Sequence, residues 1–272
     1  MADTSQPSLS TAPRLSVVSY LNTVPLVWGL LHQPELQPVF HLSFAVPSAC
    51  ADQLAAGEAD IGIVPVIEMA RQKLDYFRET GISCVGAVRS ILLTSKVPFQ
   101  RIKTLATDSG SRTSVMLARM ILAEKYGVEP ELISHPPQLE EMLKIADAAL
   151  VIGDAALRME PATLPYATLD LGQEWLQLTH LPMVFAVWAG RKGVMRQAYA
   201  DALVASCKFG QAHIEAIVAQ ESRNRQLPET LVREYFTRYI HFDLDEKAHQ
   251  GLDLYLKNAA VFERTLVPGV SL

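Results

Sequence analysis

The chain has 272 residues, 49% of them hydrophobic and 19% charged, with a formal net charge of −5. That length buries a substantial core as one large domain or two of middling size. The modest charge and the absence of a basic run argue against a nucleic-acid surface. No uncharged apolar stretch approaches the ~18 residues of a membrane helix.

Residues 1–13, MADTSQPSLSTAP, are polar and rich in Pro and Ser. They lack a charged region followed by an apolar one, so they read as a flexible lead-in and not as a secretory signal. LSVVS (15–19) predicts a strand and TVPLVWGLL (23–31) a helix. VFHLSF (39–44) predicts a second strand. VPSACADQLAAGEA (46–59) predicts a helix with Ser48 as N-cap and Gly57 near its end. DIGIVPV (60–66) is a third strand, and IEMARQ opens another helix. This βαβαβ rhythm implies parallel strands with helical crossovers. ISCVGAV (82–88) and SILLTSKV (90–97) follow with little room for a helix between them. The βα pattern then restarts: KTLATD is a strand, SRTSVMLARMILAEKYG a helix closed by Gly127, ELISH a strand, QLEEMLKIA a helix, and DAALVIGDAAL a strand with a turn. LPMVFAVWAG (181–190) is one more strand, and from Met195 onward the pattern is helical. Two βα sets joined by a strand pair suggest two lobes, residues 1–93 with 184–272 and residues 94–183, facing each other across a cleft. Ligands of open α/β sheets sit beyond the C-terminal strand ends. SYLN, IVPV, VRS, SGSRTS and IGDAA all fall at such ends.

Those ends supply the candidates. Asn22 and Thr23 precede a helix with Pro25 in its first turn, so each is either an N-cap or a ligand-facing group. Ser111, Arg112, Thr113 and Ser114 open a helix after Gly110, where free N–H groups, hydroxyls and a guanidinium suit a carboxylate or phosphate. This is not a P-loop, because GxxxxGK[ST] is absent. Ser90 begins an apolar run without a surrounding GxSxG, and Arg89 beside it suits a carboxylate of the protein more than one of a ligand. Asp154, Asp60 and Asp108 suit either a cap or acid–base chemistry. The seven histidines are scattered without HExxH or HxH, and no GxGxxG follows a strand, so neither a metal nor a dinucleotide cofactor is expected. Cys50, Cys84 and Cys207 lie far apart and read as buried thiols in a reduced compartment. Trp28, Trp175 and Trp188 lie on apolar patterns of the core or the lobe interface.

The segments SYLNTVPL, GEADIGIVPVIE, VGAVRSILLTS, DSGSRTSV, ADAALVIGDAAL and EWLQLTHLPMVFAVWAG, in this order from about Leu15 to Gly190, resemble the chorismate dehydratase family of the futalosine route to menaquinone. The resemblance implies an α/β, two-lobed type II periplasmic-binding-protein-like fold. Each lobe would be a mixed sheet flanked by helices, with the ligand cleft between them, in a cytoplasmic enzyme. It implies chorismate as small-molecule substrate, no cofactor, no metal, no nucleic acid and no membrane partner. It places Asn22 and Ser90 at the reacting ring, and Tyr20, Leu21, Ser111, Arg112, Thr113, Ser114, Ile152, Gly153 and Asp154 around the substrate, with Arg112 equally suited to tie the lobes together. Capping of the first helix then falls to Thr23. Two positions depart from the family pattern: Val66 where a small polar residue is expected, and His180 where Gly is expected. The rivals are the sister 1,4-dihydroxy-6-naphthoate synthase and a non-catalytic small-carboxylate-binding protein.

Overall fold

The apolar run after Pro13 forms β1 (Arg14–Val18), and after one 3-10 turn over Leu21–Thr23 the chain enters α1 (Val24–His32). The computed structural model describes residues 12–266, so residues 1–11 of the lead-in lie outside the described region. β2 (His41–Ala45), α2 (Pro47–Ala56), β3 (Ile61–Pro65), α3 (Val66–Arg71) and β4 (Asp75–Cys84) complete the first set. β1 pairs in parallel with both β2 and β3, which helical crossovers allow and tight turns do not. IGIVP is buried at every position because β3 lies inside its sheet, whereas HLSFA of β2 lies at the edge and keeps much of its surface exposed. Ser48 sits inside α2, whose cap is Val46, and Gly57 closes that helix in the left-handed region at φ 73°.

The second set holds β5 (Ile91–Ser95), β6 (Thr104–Asp108), α4 (Thr113–Tyr126), β7 (Glu131–His135), α5 (Leu139–Ile145), β8 (Ala148–Ile152), α6 (Gly153–Leu157), β9 (Ala167–Asp170) and α7 (Leu171–Thr179). Its strands run β7-β6-β8-β5-β9. β6 is parallel to β7 and β8, while β5 is antiparallel to β8 and β9. β10 (Met183–Gly190) then returns between β3 and β4, antiparallel to both. α8 (Gln197–Ala212), α9 (Ile214–Arg225), α10 (Glu229–Glu234), β11 (His241–Asp243) and α11 (Glu246–Leu266) finish the described chain. The first sheet thus reads β11-β4-β10-β3-β1-β2.

Three elements differ from the sequence reading. β5 pairs in the second sheet from Ile91, so the chain crosses between Cys84 and Ile91 and not at residue 93. β9 and the amphipathic α7 stand where no element was read; Asp170 caps α7 through the N–H groups of Gly172 and Gln173. The short β11 interrupts the helical tail because it covers the open edge of β4.

Packing follows the pattern of apolar positions. Trp28, Trp175 and Trp188 are buried, as are the three free thiols. Burial pushes the Cys207 thiol up to about 12, which leaves it inert. α8 crosses α1 at very short range: a Cβ on Gly210 would lie 2.1 Å from the Pro25 carbonyl oxygen. Ser206 seals that crossing, its Oγ donating to Leu26 O at 2.8 Å and accepting from Leu30 N at 3.0 Å.

Candidate active site

The ends of β1, β3 and β8 and the start of β5 converge on a cavity between the two sheets. Its walls are mostly apolar, from Val18, Ile63, Ile82 and Phe185 of the first sheet and Ile91 and Ile152 of the second. Set among them are Tyr20, Asn22, Ser90 and the stretch Ser111–Ser114. Among the described residues no group of three His, Cys, Asp or Glu side chains gathers to hold a metal.

Asn22 and Thr23 part company here. Asn22 lies in the 3-10 turn that joins β1 to α1 and lines the cavity. Its Oδ1 is buried and has no hydrogen-bond partner among the described residues. A buried acceptor left unpaired costs about 1–3 kcal/mol, so such an atom marks a place where a partner belongs. Thr23 does not cap α1 with its side chain, contrary to the sequence reading. Its hydroxyl turns backward to the carbonyls of Val18 and of Tyr20, the latter at 2.7 Å. It thereby ties the turn to the end of β1 and leaves Asn22 on the cavity side.

Ser90 is fixed from several directions. The segment between the sheets enters β5 through Arg89, whose φ of 63° lies in the left-handed region, a costly conformation for a side chain this long. Asp170 holds it there, accepting from Val88 N at 2.9 Å and from Arg89 N at 2.7 Å while it caps α7. Burial pushes the Asp170 carboxyl up, and these N–H bonds pull it back. The Arg89 guanidinium points away from the cavity and donates to the carbonyls of Ala156 at 3.1 Å and Met159 at 2.5 Å. Gly153 N donates to Ser90 O at 2.8 Å. On the far side, Tyr235 Oη donates to Ser90 Oγ at 2.8 Å. Tyr235 was not foreseen: it stands 145 residues away, in a helical tail without a motif.

The start of α4 separates its own residues in the same way. Ser111 and Ser114 are buried against the cavity, and neither hydroxyl has a protein partner among the described residues. Thr113 Oγ1 is instead the long-range acceptor, at 3.4 Å, of Ile67 N. Arg112 places its guanidinium on Asp52 at 2.8 Å and on Glu68 at 3.1 Å, both in the first lobe. Of the two sequence readings of Arg112, the geometry has the tie between lobes. Asp154 likewise faces protein: Oδ1 accepts from Leu21 N at 2.9 Å, and Oδ2 pairs with Arg225. It lies outside the cavity wall, as does Leu21, whose side chain is buried in the core. The other two acidic candidates are also used by the protein. Asp60 pairs with Arg14 at 2.8 Å at the opposite end of the first sheet. Asp108 holds the turn before α4 through Gly110 N at 2.9 Å, with burial raising its carboxyl.

Tyr20, Ile152 and Gly153 form one contact across the cleft. Gly153 has φ 60°, and a Cβ there would lie 2.8 Å from the Tyr20 ring. Only glycine allows that approach, so the ring of the first lobe lies flat against the backbone of the second. Burial and the charges of Asp108 and Asp154 push the Tyr20 phenol well above its ordinary value, so it stays neutral. Phe185, from β10, is a further cavity wall that the sequence reading missed, because it looks like any other core residue of an apolar strand.

A family model described as menaquinone biosynthesis matches residues 13–261. The chain belongs to this family. A member carrying the name chorismate dehydratase, from Thermus thermophilus, is 26% identical over 257 residues, which span 85% of this chain and 94% of that one. A solved protein of Archaeoglobus fulgidus superposes with a TM-score of 0.75 at 14% identity, covering 95% of this chain and all of the other. The alkanesulfonate-binding protein SsuA of Xanthomonas axonopodis pv. citri, bound to MOPS, superposes with a TM-score of 0.67 at 13% identity over 95% and 94% of the two chains. The fold is therefore that of the periplasmic binding proteins, two mixed sheets flanked by helices. The two departures from the family pattern now have places. Val66 is wholly buried and Pro65, not Val66, lines the cavity. His180 caps α7 in the left-handed region at φ 58°, a conformation in which glycine is at ease.

Proposed function

We propose that this protein is a chorismate dehydratase, converting chorismate to 3-[(1-carboxyvinyl)oxy]benzoate in the futalosine route to menaquinone. The observation that carries the reading is the unpaired Asn22 Oδ1 in a cavity whose other polar side chains are hydroxyls and that of Arg112, whose guanidinium is already paired with Asp52 and Glu68. Chorismate at neutral pH is a dianion, and its allylic hydroxyl is its single hydrogen-bond donor. Asn22 Oδ1 is an acceptor awaiting one donor. Ser90, Ser111 and Ser114 are donors suited to the two carboxylates, together with the open N–H groups at the start of α4.

Among the described residues no carboxylate lines the cavity. Asp154 is committed to Leu21 N and Arg225, Asp108 holds Gly110 N with one oxygen and keeps the other buried and unpaired outside the cavity wall, and the Tyr20 phenol is held neutral. The substrate then supplies its own base. Its enolpyruvyl carboxylate takes the proton from the ring carbon that carries the ether. The electron pair left behind spreads through the adjacent double bond to the ring carboxylate. The neighbouring C–O bond breaks, hydroxide leaves with the transferred proton as water, and the ring becomes aromatic. The enzyme's part is to hold the dianion in the reacting pose and to place donors where charge builds up. Apolar walls exclude competing water and strengthen those hydrogen bonds.

Incubation with chorismate tests the reading: stoichiometric appearance of the aromatic enolpyruvyl ether, followed by its ultraviolet spectrum and mass, is the expected result. Ligand protection against heat without turnover would overturn it in favour of a carboxylate-binding protein. Turnover confined to a cyclised futalosine-type substrate would overturn it in favour of the naphthoate synthase.

A further inference from the structure

We propose that Tyr235 is a positioning residue, which fixes the proton of the Ser90 hydroxyl so that it points into the cleft; this rests on the dehydratase reading above. Tyr235 is 1% exposed and Ser90 2%. The phenol does not line the cavity; it stands behind Ser90 and donates to Oγ at 2.8 Å. A serine hydroxyl has one proton and two lone pairs. With one lone pair occupied by the phenol proton, the hydroxyl cannot point its own proton back along that line. No protein acceptor is in reach of Ser90 Oγ among the described residues, so its proton is turned to the cavity that Ser90 lines. Burial pushes the Tyr235 phenol far up, with Ser90 and Asn22 beside it working the other way, so the phenol keeps its proton at neutral pH.

The local backbone supports a dedicated placement. Tyr235 opens a five-residue π-helical turn, Tyr235–Tyr239, directly after α10. Such turns cost regular hydrogen bonding and recur where a side chain must be aimed. A relay of two hydroxyls, phenol to serine to substrate, also strengthens the outer bond, because each donor polarises the next.

The test is a double-mutant cycle of Tyr235→Phe and Ser90→Ala, read on kcat, KM and chorismate Kd. Tyr235→Phe is expected to lower kcat about tenfold with KM within about twofold, on the scale of one hydrogen bond lost in the transition state. In the Ser90→Ala background the same change is expected to do nothing further, because the proposed effect of the phenol runs through that hydroxyl. Wild-type kcat in Tyr235→Phe, or single effects that multiply in the double variant, would overturn the proposal. A Tyr235→Phe chain that does not fold is replaced by ring-fluorinated tyrosine at position 235, which keeps the shape and strengthens the donor. It is then expected to change kcat in the wild-type background and not beside Ser90→Ala; no change in either overturns the proposal. Wild-type protein that binds chorismate without turning it over defeats the dehydratase reading and this proposal with it, whereas wild-type turnover retained in Tyr235→Phe defeats the proposal alone. Protein that does not bind chorismate defeats both.

Discussion

At the mouth of the cleft Arg112 reaches across to Asp52 and Glu68, while two residues further on Ser114 keeps a hydroxyl without a protein partner. The same contrast recurs opposite, where Asp154 holds Leu21 N and Arg225 and the neighbouring Asn22 keeps a bare Oδ1. Arg112 and Asp154 join the two lobes. The neutral Asn22, Ser111 and Ser114 line the cavity. The physical reason is desolvation. A charge inside a mostly apolar cavity needs a permanent counter-charge, or it must shift its pKa to become neutral. A hydroxyl or amide can wait for its partner at a cost of only about 1–3 kcal/mol. For the dehydratase proposed above, a site that holds a dianion and then releases its product is better served by the second kind of group.

That contrast can be broken most directly on the neutral side. Asn22→Ala and Ser90→Ala are each expected to lower chorismate turnover by about a hundredfold, as loss of one well-placed polar group does. Circular dichroism should stay near wild type for both; melting should stay near wild type for Asn22→Ala and fall for Ser90→Ala, which leaves the buried Tyr235 phenol without its acceptor. On the charged side, Asp154→Ala is expected to act on stability instead. It removes the partner of Arg225, which is 19% exposed, and of Leu21 N, for a loss of about 2 kcal/mol read in urea unfolding. Ser111→Ala combined with Ser114→Ala is expected to raise KM about tenfold with kcat nearly unchanged, as removal of uniform binding does. Asp52→Ala should cost less than about 1 kcal/mol, because Asp52 is mostly exposed and Arg112 retains Glu68. The smallest effect is expected from His180→Gly, a gain of about 0.5–1 kcal/mol, since it relieves a left-handed residue outside the cleft. A fall in turnover with Asp52→Ala as large as that with Asn22→Ala would erase the distinction between the two kinds of residue.

Much of this was legible in short stretches. ELISH became a strand with those bounds, and SRTSVMLARMILAEKYG became a helix closed by a left-handed Gly127, because burial period and end signals coincide there. α7 was missed because LGQEWLQLT is short and runs straight into an apolar strand. The early half of β4, DYFRET, is not legible as a strand because Asp75, Arg78 and Glu79 leave it without a clean apolar alternation. Asn22, Ser90, Ser111, Ser114 and Arg112, singled out at strand ends, line the cavity, whereas Asp154 does not. The partners of Arg112 and Asp154, namely Asp52, Glu68, Leu21 and Arg225, could not be read from the sequence.

By itself the sequence determined the local elements, the strand ends where polar residues gather, and the motif order that marks the family. These depend on spacing, and spacing is written in the chain. Only the tertiary structure decided which of those polar residues stay available. That depends on partners 46 to 145 residues away, as with Thr113 beside Ile67 and Ser90 beside Tyr235. Hydrogen bonds act over about 3 Å, and no periodicity along the chain records which distant groups will come that close.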